Sequence, residues 1–206
     1  MKLYFSPGAC SLAPHIVLNE AALAFTPVRV DLATHQTASG EDYYTINSKG
    51  SVPLLELDDG ERLTEGPVIS QYIADRAARS DLMPPAGSLP RYHVMEWQNY
   101  ITSELHKSFS PLFRSDFDEN AKGWFKQQLR KKYEWVASRL EDRDFLTGVN
   151  LSAADAYLYT VTRWAPRMGI DLTDLTALQG FMRRVNDRDA VQAALRTEGL
   201  PLKFAA

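Results

Sequence analysis

The segment Met83-Pro84-Pro85-Ala86-Gly87-Ser88-Leu89-Pro90 constrains the fold of this chain more than any other. Its three prolines and one glycine remove backbone donors and favour extended or turn conformations, so no helix runs through it. The two sides of the segment read differently. Before it, strand and helix signals alternate. After it, apolar residues recur at helical spacing to the end. The chain therefore reads as an α/β domain at 1–81, a linker at 82–90 and an all-α domain at 91–206. A chain of 206 residues is long enough for two cores.

In the first part, Leu3-Tyr4-Phe5 reads as a short buried strand that Ser6-Pro7-Gly8 breaks. A helix is expected over 11–24, with Ile16, Val17, Leu18 and Leu23 apolar. Pro14 falls in its first turn, where the missing N–H does little harm. Residues 27–32 alternate as a second strand, 34–40 are polar, and 41–46 suggest a short helix. A third strand at 52–57 leads through Asp58-Asp59-Gly60 to a hairpin partner at 62–64. Helical spacing returns at 67–78, giving the order β-α-β-α-β-β-α. Beyond the linker, helices are expected near 91–113, 119–141, 153–168, 175–187 and 188–196. Ser152 and Asp155 have the spacing of a capping box, with Leu151 and Ala156 as a hydrophobic staple, so Asp155 reads as structural.

Composition excludes several functions. The hydrophobic share is 45% and the charged share 24%, ordinary for a folded soluble protein. A net charge of −3 gives no basic field for nucleic acid or an anionic membrane. No apolar run approaches the ~18 residues of a membrane helix. The first apolar run is too short for a signal peptide and is cut by Pro7. Cys10 is the single cysteine, so no internal disulfide forms. The cytoplasm is the expected compartment. No clustered His, Cys or Asp spacing points to a metal.

Four features suggest chemistry. Cys10 follows a strand and a turn and stands at the start of a helix, whose partial positive charge lowers a thiol pKa. Its alternative reading is a small buried hydrophobe. Val52-Pro53 is either a cis turn that offers its backbone to an extended peptide ligand, or a trans proline opening an edge strand. Glu65-Gly66-Pro67 opens a helix. It either receives the ammonium and carboxylate of an amino acid or is a simple acidic cap. Asn99, Ser103 and His106 recur opposite the apolar stripe Val94, Trp97, Ile101 and Leu105, lining a cleft or facing solvent.

The segments Met1-Lys2-Leu3-Tyr4, Pro7-Gly8-Ala9-Cys10-Ser11-Leu12, Val52-Pro53 and Leu63-Thr64-Glu65-Gly66 occur in order along the first half. Glu104-Leu105-His106-Lys107, Ser110-Pro111-Leu112-Phe113, Ala153-Ala154-Asp155-Ala156-Tyr157-Leu158 and Thr197-Glu198-Gly199-Leu200 occur in order along the second. In this order and spacing the chain resembles the bacterial beta-class glutathione transferases along essentially its whole length. The resemblance implies a thioredoxin-like domain joined to a helical bundle, assembled as a homodimer. It implies a cis Val52-Pro53 bond whose backbone pairs with the cysteinyl part of glutathione, and Glu65 and Gly66 at the γ-glutamyl end. Cys10 and Ser11 lie at the sulfur. His35 stands where the family often has lysine near the glycyl carboxylate. Asn99 and Ser103-Glu104-Leu105-His106 complete the binding residues, some of them reaching the neighbouring subunit's ligand.

Cys10 and His106 are the implied catalytic residues, with glutathione as co-substrate and no metal. Adjacent side chains on a strand face opposite ways, so Tyr4 and Phe5 cannot both face the site. Cys10, Ser11 and His106 are therefore favoured over Tyr4. The implied reaction conjugates glutathione to small electrophilic or hydrophobic substrates. His106, titrating near neutral pH, acts as base or stabiliser. Glutathione-dependent thiol–disulfide exchange at Cys10 is a further reading. Reductive dehalogenation and non-catalytic ligand carriage are the alternatives. For a carrier, Tyr100, Phe109, Phe113 and Trp164 either line the ligand pocket or pack in the core.

Overall fold

A computed structural model describes residues 1–204 of the chain. Ala205 and Ala206, at the end of the expected all-α domain, lie outside the described residues. Strands β1 (Lys2–Phe5), β2 (Thr26–Asp31), β3 (Gln36–Thr37), β4 (Leu54–Glu56) and β5 (Arg62–Thr64) form one sheet in the order β3-β2-β1-β4-β5. β1 pairs parallel with β2 and antiparallel with β4. The parallel pair requires a crossover, which helix α1 (Leu12–Glu20) supplies. Leu3 is fully buried at the sheet centre, opposite Pro27 on one side and Leu55 on the other.

The expected elements recur, with local differences: the helix at 11–24 ends at Glu20, and that at 153–168 divides into Ala153–Thr162 and Trp164–Arg167. The polar stretch at 34–40 contains β3, whose two residues pair antiparallel with β2. The short helix at 41–46 is a single 3₁₀ turn, Tyr43–Thr45, capped by the Asp42 carboxylate, which accepts from the Tyr44 N–H at 3.0 Å. The helix at 91–113 begins earlier and is not continuous. It comprises α3 (Leu89–Tyr100), a π turn (Ile101–His106), α4 (Lys107–Phe109) and a 3₁₀ turn (Ser110–Phe113). Pro90 sits in the first turn of α3, where no intrahelical donor is needed.

Helix α2 (Gly66–Arg76) closes the first half. Helices α5 (Glu119–Arg139), α6 (Ala153–Thr162), α7 (Trp164–Arg167), α8 (Thr176–Asn186) and α9 (Asp189–Glu198) complete the second. No helix among the described residues is long and apolar enough to cross a membrane. Residues 12–18 of α1 are all buried, as expected of a helix that packs on every side. It lies against α2, α6 and α9 as well as beneath the sheet. One apolar cluster therefore runs from Leu3 and Ile16 through Ile101 and Leu105 to Leu158 and Leu195. The halves differ in secondary structure but share a core. Polar contacts fasten the same seam: Ala153 N–H donates to Leu82 O at 2.9 Å, and Arg91 forks onto Asp75 with both contacts at 2.8 Å.

The capping motif forms at the start of α6. The Asp155 carboxylate accepts from the Ser152 N–H at 2.7 Å and the Ser152 hydroxyl at 2.6 Å. Its other oxygen accepts from Leu146 N–H at 2.8 Å, tying the preceding loop to the helix. Asp155 is completely buried, and burial pushes its carboxyl up to about 6, against the three donors that favour its charge. Asp155→Ala strands two buried backbone donors. It should cost about 3 kcal/mol of stability, read as a lowered urea-denaturation midpoint.

Candidate active site

The turn between β1 and α1 carries Cys10, and it is held from both domains. Gly8 has φ +73°, in the left-handed region that side chains rarely adopt, so the position favours glycine. Its N–H donates to Glu198 Oε2 at 2.9 Å, and its carbonyl accepts from Trp164 Nε1 at 2.8 Å. Glu198, at the end of α9, is buried and places its other oxygen 2.8 Å from His15 Nδ1 in α1. Within the turn, the Ser11 hydroxyl donates to Ser6 O at 3.3 Å and accepts from Ser6 N–H at 3.2 Å. Ser11 is fully buried, so the hydroxyl of this expected binding residue braces the turn.

The Val52–Pro53 peptide is cis. The Cys10 thiol donates to Val52 O at 3.3 Å, joining the head of α1 to this segment. Pro53 in turn borders Gly66, the first residue of α2. Glu65, just before that helix, has φ +71°, a strained value for a side chain larger than glycine. Its exposed carboxylate meets Lys49 Nζ at 2.7 Å, and the same ammonium reaches Thr64 Oγ1 at 2.8 Å. The Glu65 charge favours the neutral forms of the Cys10 thiol and the Tyr157 phenol and the charged form of the His106 imidazole.

The expected lowering of the Cys10 thiol does not occur. Burial pushes it up to about 12. The N–H groups of Cys10 and Ser11 favour the thiolate, as the helix-terminus argument requires, but withdrawal from water outweighs them, and the carboxylates of Glu65 and Glu198 oppose it further. His106 departs in the opposite direction for the same reason. Burial, with Lys107 adding to it, pushes its imidazole down to about 4. The ring is therefore neutral at physiological pH and does not titrate near 7.

His106 also leaves the polar stripe expected of a regular helix. The π turn adds a residue to one turn, which swings the later side chains of the helix by roughly 100°. Asn99 and Ser103 remain exposed, with the Ser103 hydroxyl donating to Asn99 O at 3.1 Å. His106 turns inward, its Nδ1 2.6 Å from Tyr157 Oη and its ring packed edge-on against Trp164 at 5.0 Å. Thr102 and Ser108 likewise bond to the carbonyls four residues back, satisfying acceptors along the distorted stretch. Leu105 is a fully buried core residue, and Glu104 pairs with Lys132 at 2.9 Å, so neither side chain joins the cleft around Cys10. His35 lies on the turn into β3 with φ +51°. Its ring packs on Tyr44 at 4.5 Å, and its buried Nδ1 has no partner among the described residues. Tyr4 packs against Tyr43 and Phe5 against His15, confirming their opposite faces.

Comparison with known proteins bears on this arrangement. Residues 1–75 match the family described as glutathione S-transferase, N-terminal domain, and residues 100–189 match glutathione S-transferase, C-terminal domain. A curated relative, glutathione S-transferase GstA of Escherichia coli O157:H7, is 48% identical, covering 97% of this chain and 100% of the relative. A bacterial beta-class glutathione S-transferase of Sphingomonas chungbukensis superposes with a TM-score of 0.94 at 41% identity, covering 98% of this chain and 100% of the other. The chain belongs to the bacterial beta-class glutathione S-transferases. A sphingomonad glutathione S-transferase solved in complex with glutathione is similarly close, with a TM-score of 0.93, 44% identity and coverage of 98% and 100%.

Within this glutathione S-transferase the structure adds residues that sequence reasoning did not single out for the site. Glu198 was legible only as part of a family segment, and its bond to Gly8 spans 190 positions. Lys49, which holds Glu65, lies in an ordinary Asn-Ser-Lys-Gly turn with no signal of its own. Tyr157 reads as one apolar position among several in α6. Because burial keeps the Cys10 thiol protonated, it should react with a disulfide reagent at pH 7.5 at least ~100-fold more slowly in the folded, ligand-free protein than in the denatured chain. Stopped-flow absorbance of the released thiol checks this, and equal rates would overturn it.

Proposed function

We propose that this transferase binds glutathione along the cleft between β4, the head of α1 and the start of α2, and conjugates it to small electrophiles. The observation that carries this is the meeting of three different recognition groups on one edge. The carbonyl of Val52, before the cis Pro53, can take the cysteinyl N–H of an extended tripeptide. Glu65 offers a carboxylate to the γ-glutamyl ammonium, while the Gly66 N–H opens α2 toward its carboxylate. His35, whose Nδ1 has no partner among the described residues, supports the reading at the glycyl end. Asn99 and Ser103 lie exposed on the same helix as Leu89, Tyr92 and Met95. With Val68 of α2, these exposed apolar residues support a homodimer in which that face meets a second subunit. The single cysteine and the acidic balance of the chain suit a cytoplasmic protein.

The bound thiol is the nucleophile. Its thiolate sulfur attacks the electrophilic carbon, a carbon–sulfur bond forms, and the leaving group departs with its electron pair. Trp164 stands T-shaped to both Phe109 and Phe113 beside His106, forming an aromatic wall for an apolar second substrate. Phe109 is the buried backing of that wall and Phe113 its exposed rim, whereas Tyr100 packs away from it on Trp97 and Trp135. Thiol–disulfide exchange at Cys10 is the second reading. It is favoured by the bond from the Cys10 thiol to Val52 O, because a ligand N–H that takes this carbonyl releases the thiol.

Calorimetry tests the binding site. Glutathione should bind with a Kd between about 1 μM and 1 mM, and Glu65→Ala should weaken it about tenfold, one charged hydrogen bond's worth. Absence of wild-type binding would sink the proposal. Cys10→Ala separates the two chemistries: conjugation of a model electrophile should persist within a few-fold, while reduction of a glutathione mixed disulfide is lost. Loss of both would make Cys10 essential to conjugation as well.

A further inference from the structure

Tyr157 lies outside every segment to which a site role was given, yet its hydroxyl is the polar group closest to the candidate catalytic imidazole. It stands 2.6 Å from His106 Nδ1, with the two rings edge-on at 5.8 Å. The imidazole is neutral, so it carries one N–H and one lone pair. Which nitrogen holds the proton decides whether the remaining one donates or accepts. Tyr157 is itself buried, and burial pushes its phenol well above the ordinary tyrosine range, so the hydroxyl keeps its proton. A buried O–H needs an acceptor. Thr102, which borders the same phenol, donates its own proton to Gln98 O at 2.8 Å. A hydroxyl that donates can still accept, but among the described residues Nδ1, at 2.6 Å, is the group that meets the Tyr157 hydroxyl in hydrogen-bond geometry.

We infer that Tyr157 is a positioning residue that donates to His106 Nδ1 and fixes the ring as its Nε2–H tautomer, a neutral hydrogen-bond donor to the glutathione thiolate. The inference rests on the transferase reading and narrows it. The imidazole then serves as a stabiliser of negative sulfur and not as its base, because Nε2 already carries a proton. The thiol proton leaves to solvent. The π turn is part of the device, since it turns His106 inward from the exposed face of Asn99 and Ser103 toward α6. Trp164 limits rotation of the ring from the other side.

Two-bond proton–nitrogen correlation spectra of ligand-free protein labelled at histidine decide the tautomer directly. His106 should show the Nε2–H form, and Tyr157→Phe should yield a mixture of tautomers. In steady-state conjugation, Tyr157→Phe should lower kcat about tenfold and leave KM for glutathione within twofold. The same substitution in a His106→Ala background should cause no further loss, which a merely structural role would not produce. A wild-type Nδ1–H spectrum, or an equal loss of kcat in the His106→Ala background, overturns the assignment, and the wild-type spectrum is decisive even if the variant folds poorly. Wild-type protein that shows the Nε2–H form but binds no glutathione would overturn the use assigned to that proton, while leaving the Tyr157–His106 bond in place.

Discussion

The Glu198 carboxylate connects the last helix of the chain to its first turn. One oxygen takes the Gly8 N–H and the other faces His15, so a single buried side chain holds both the turn before Cys10 and the helix after it. Trp164 completes the grip by donating to the Gly8 carbonyl. Glu198 and His15 are buried, and a buried polar group without its partner costs roughly 1–3 kcal/mol. The turn that presents the thiol is thus built by the helical domain as much as by the sheet from which it leaves. This is the physical reason the two halves act as one structure, and it agrees with an apolar cluster that runs through both.

The same burial sets the electrostatics of the cleft. Cys10 rises and His106 falls, so both stay uncharged at neutral pH. Charged neighbours act on them from Glu65, which Lys49 holds, from Glu198 and from Lys107. In the proposed mechanism, stabilisation of an anionic sulfur falls to oriented dipoles: the N–H groups at the head of α1 and a neutral imidazole held by Tyr157. Such donors cost little reorganisation when charge develops, because they are already in place.

Much of the architecture is legible along the chain. Two adjacent prolines and a glycine end the α/β half, the Asp-Asp-Gly turn marks the β4–β5 hairpin, and Ser152 with Asp155 announces α6. Each is a local signal, because turn and capping chemistry involve neighbours a few residues apart. The departures are also intelligible. β3 is two residues long and exists by pairing with β2, so no periodicity could reveal it. The π turn interrupts a stretch whose apolar spacing looks regular, because its cause is the widening of the backbone and not the residue pattern.

For the site, the sequence by itself determined which residue types are present and in what order: one cysteine at a strand–helix turn, a Val-Pro pair, and an acidic residue before Gly-Pro. With the ordered segments of the helical half, such as Glu104-Leu105-His106-Lys107, these carried the family resemblance. It did not determine their state. Whether a helix terminus lowers a thiol or burial raises it depends on how much water remains around the sulfur, and that is set by residues far away in the chain. Whether Ser11, Leu105 or Glu104 faces a ligand or a neighbour was decided likewise by packing. Only the tertiary structure brings Glu198 to Gly8 and Tyr157 to His106, because desolvation and buried hydrogen bonding depend on distance in space, to which order along a chain is a poor guide.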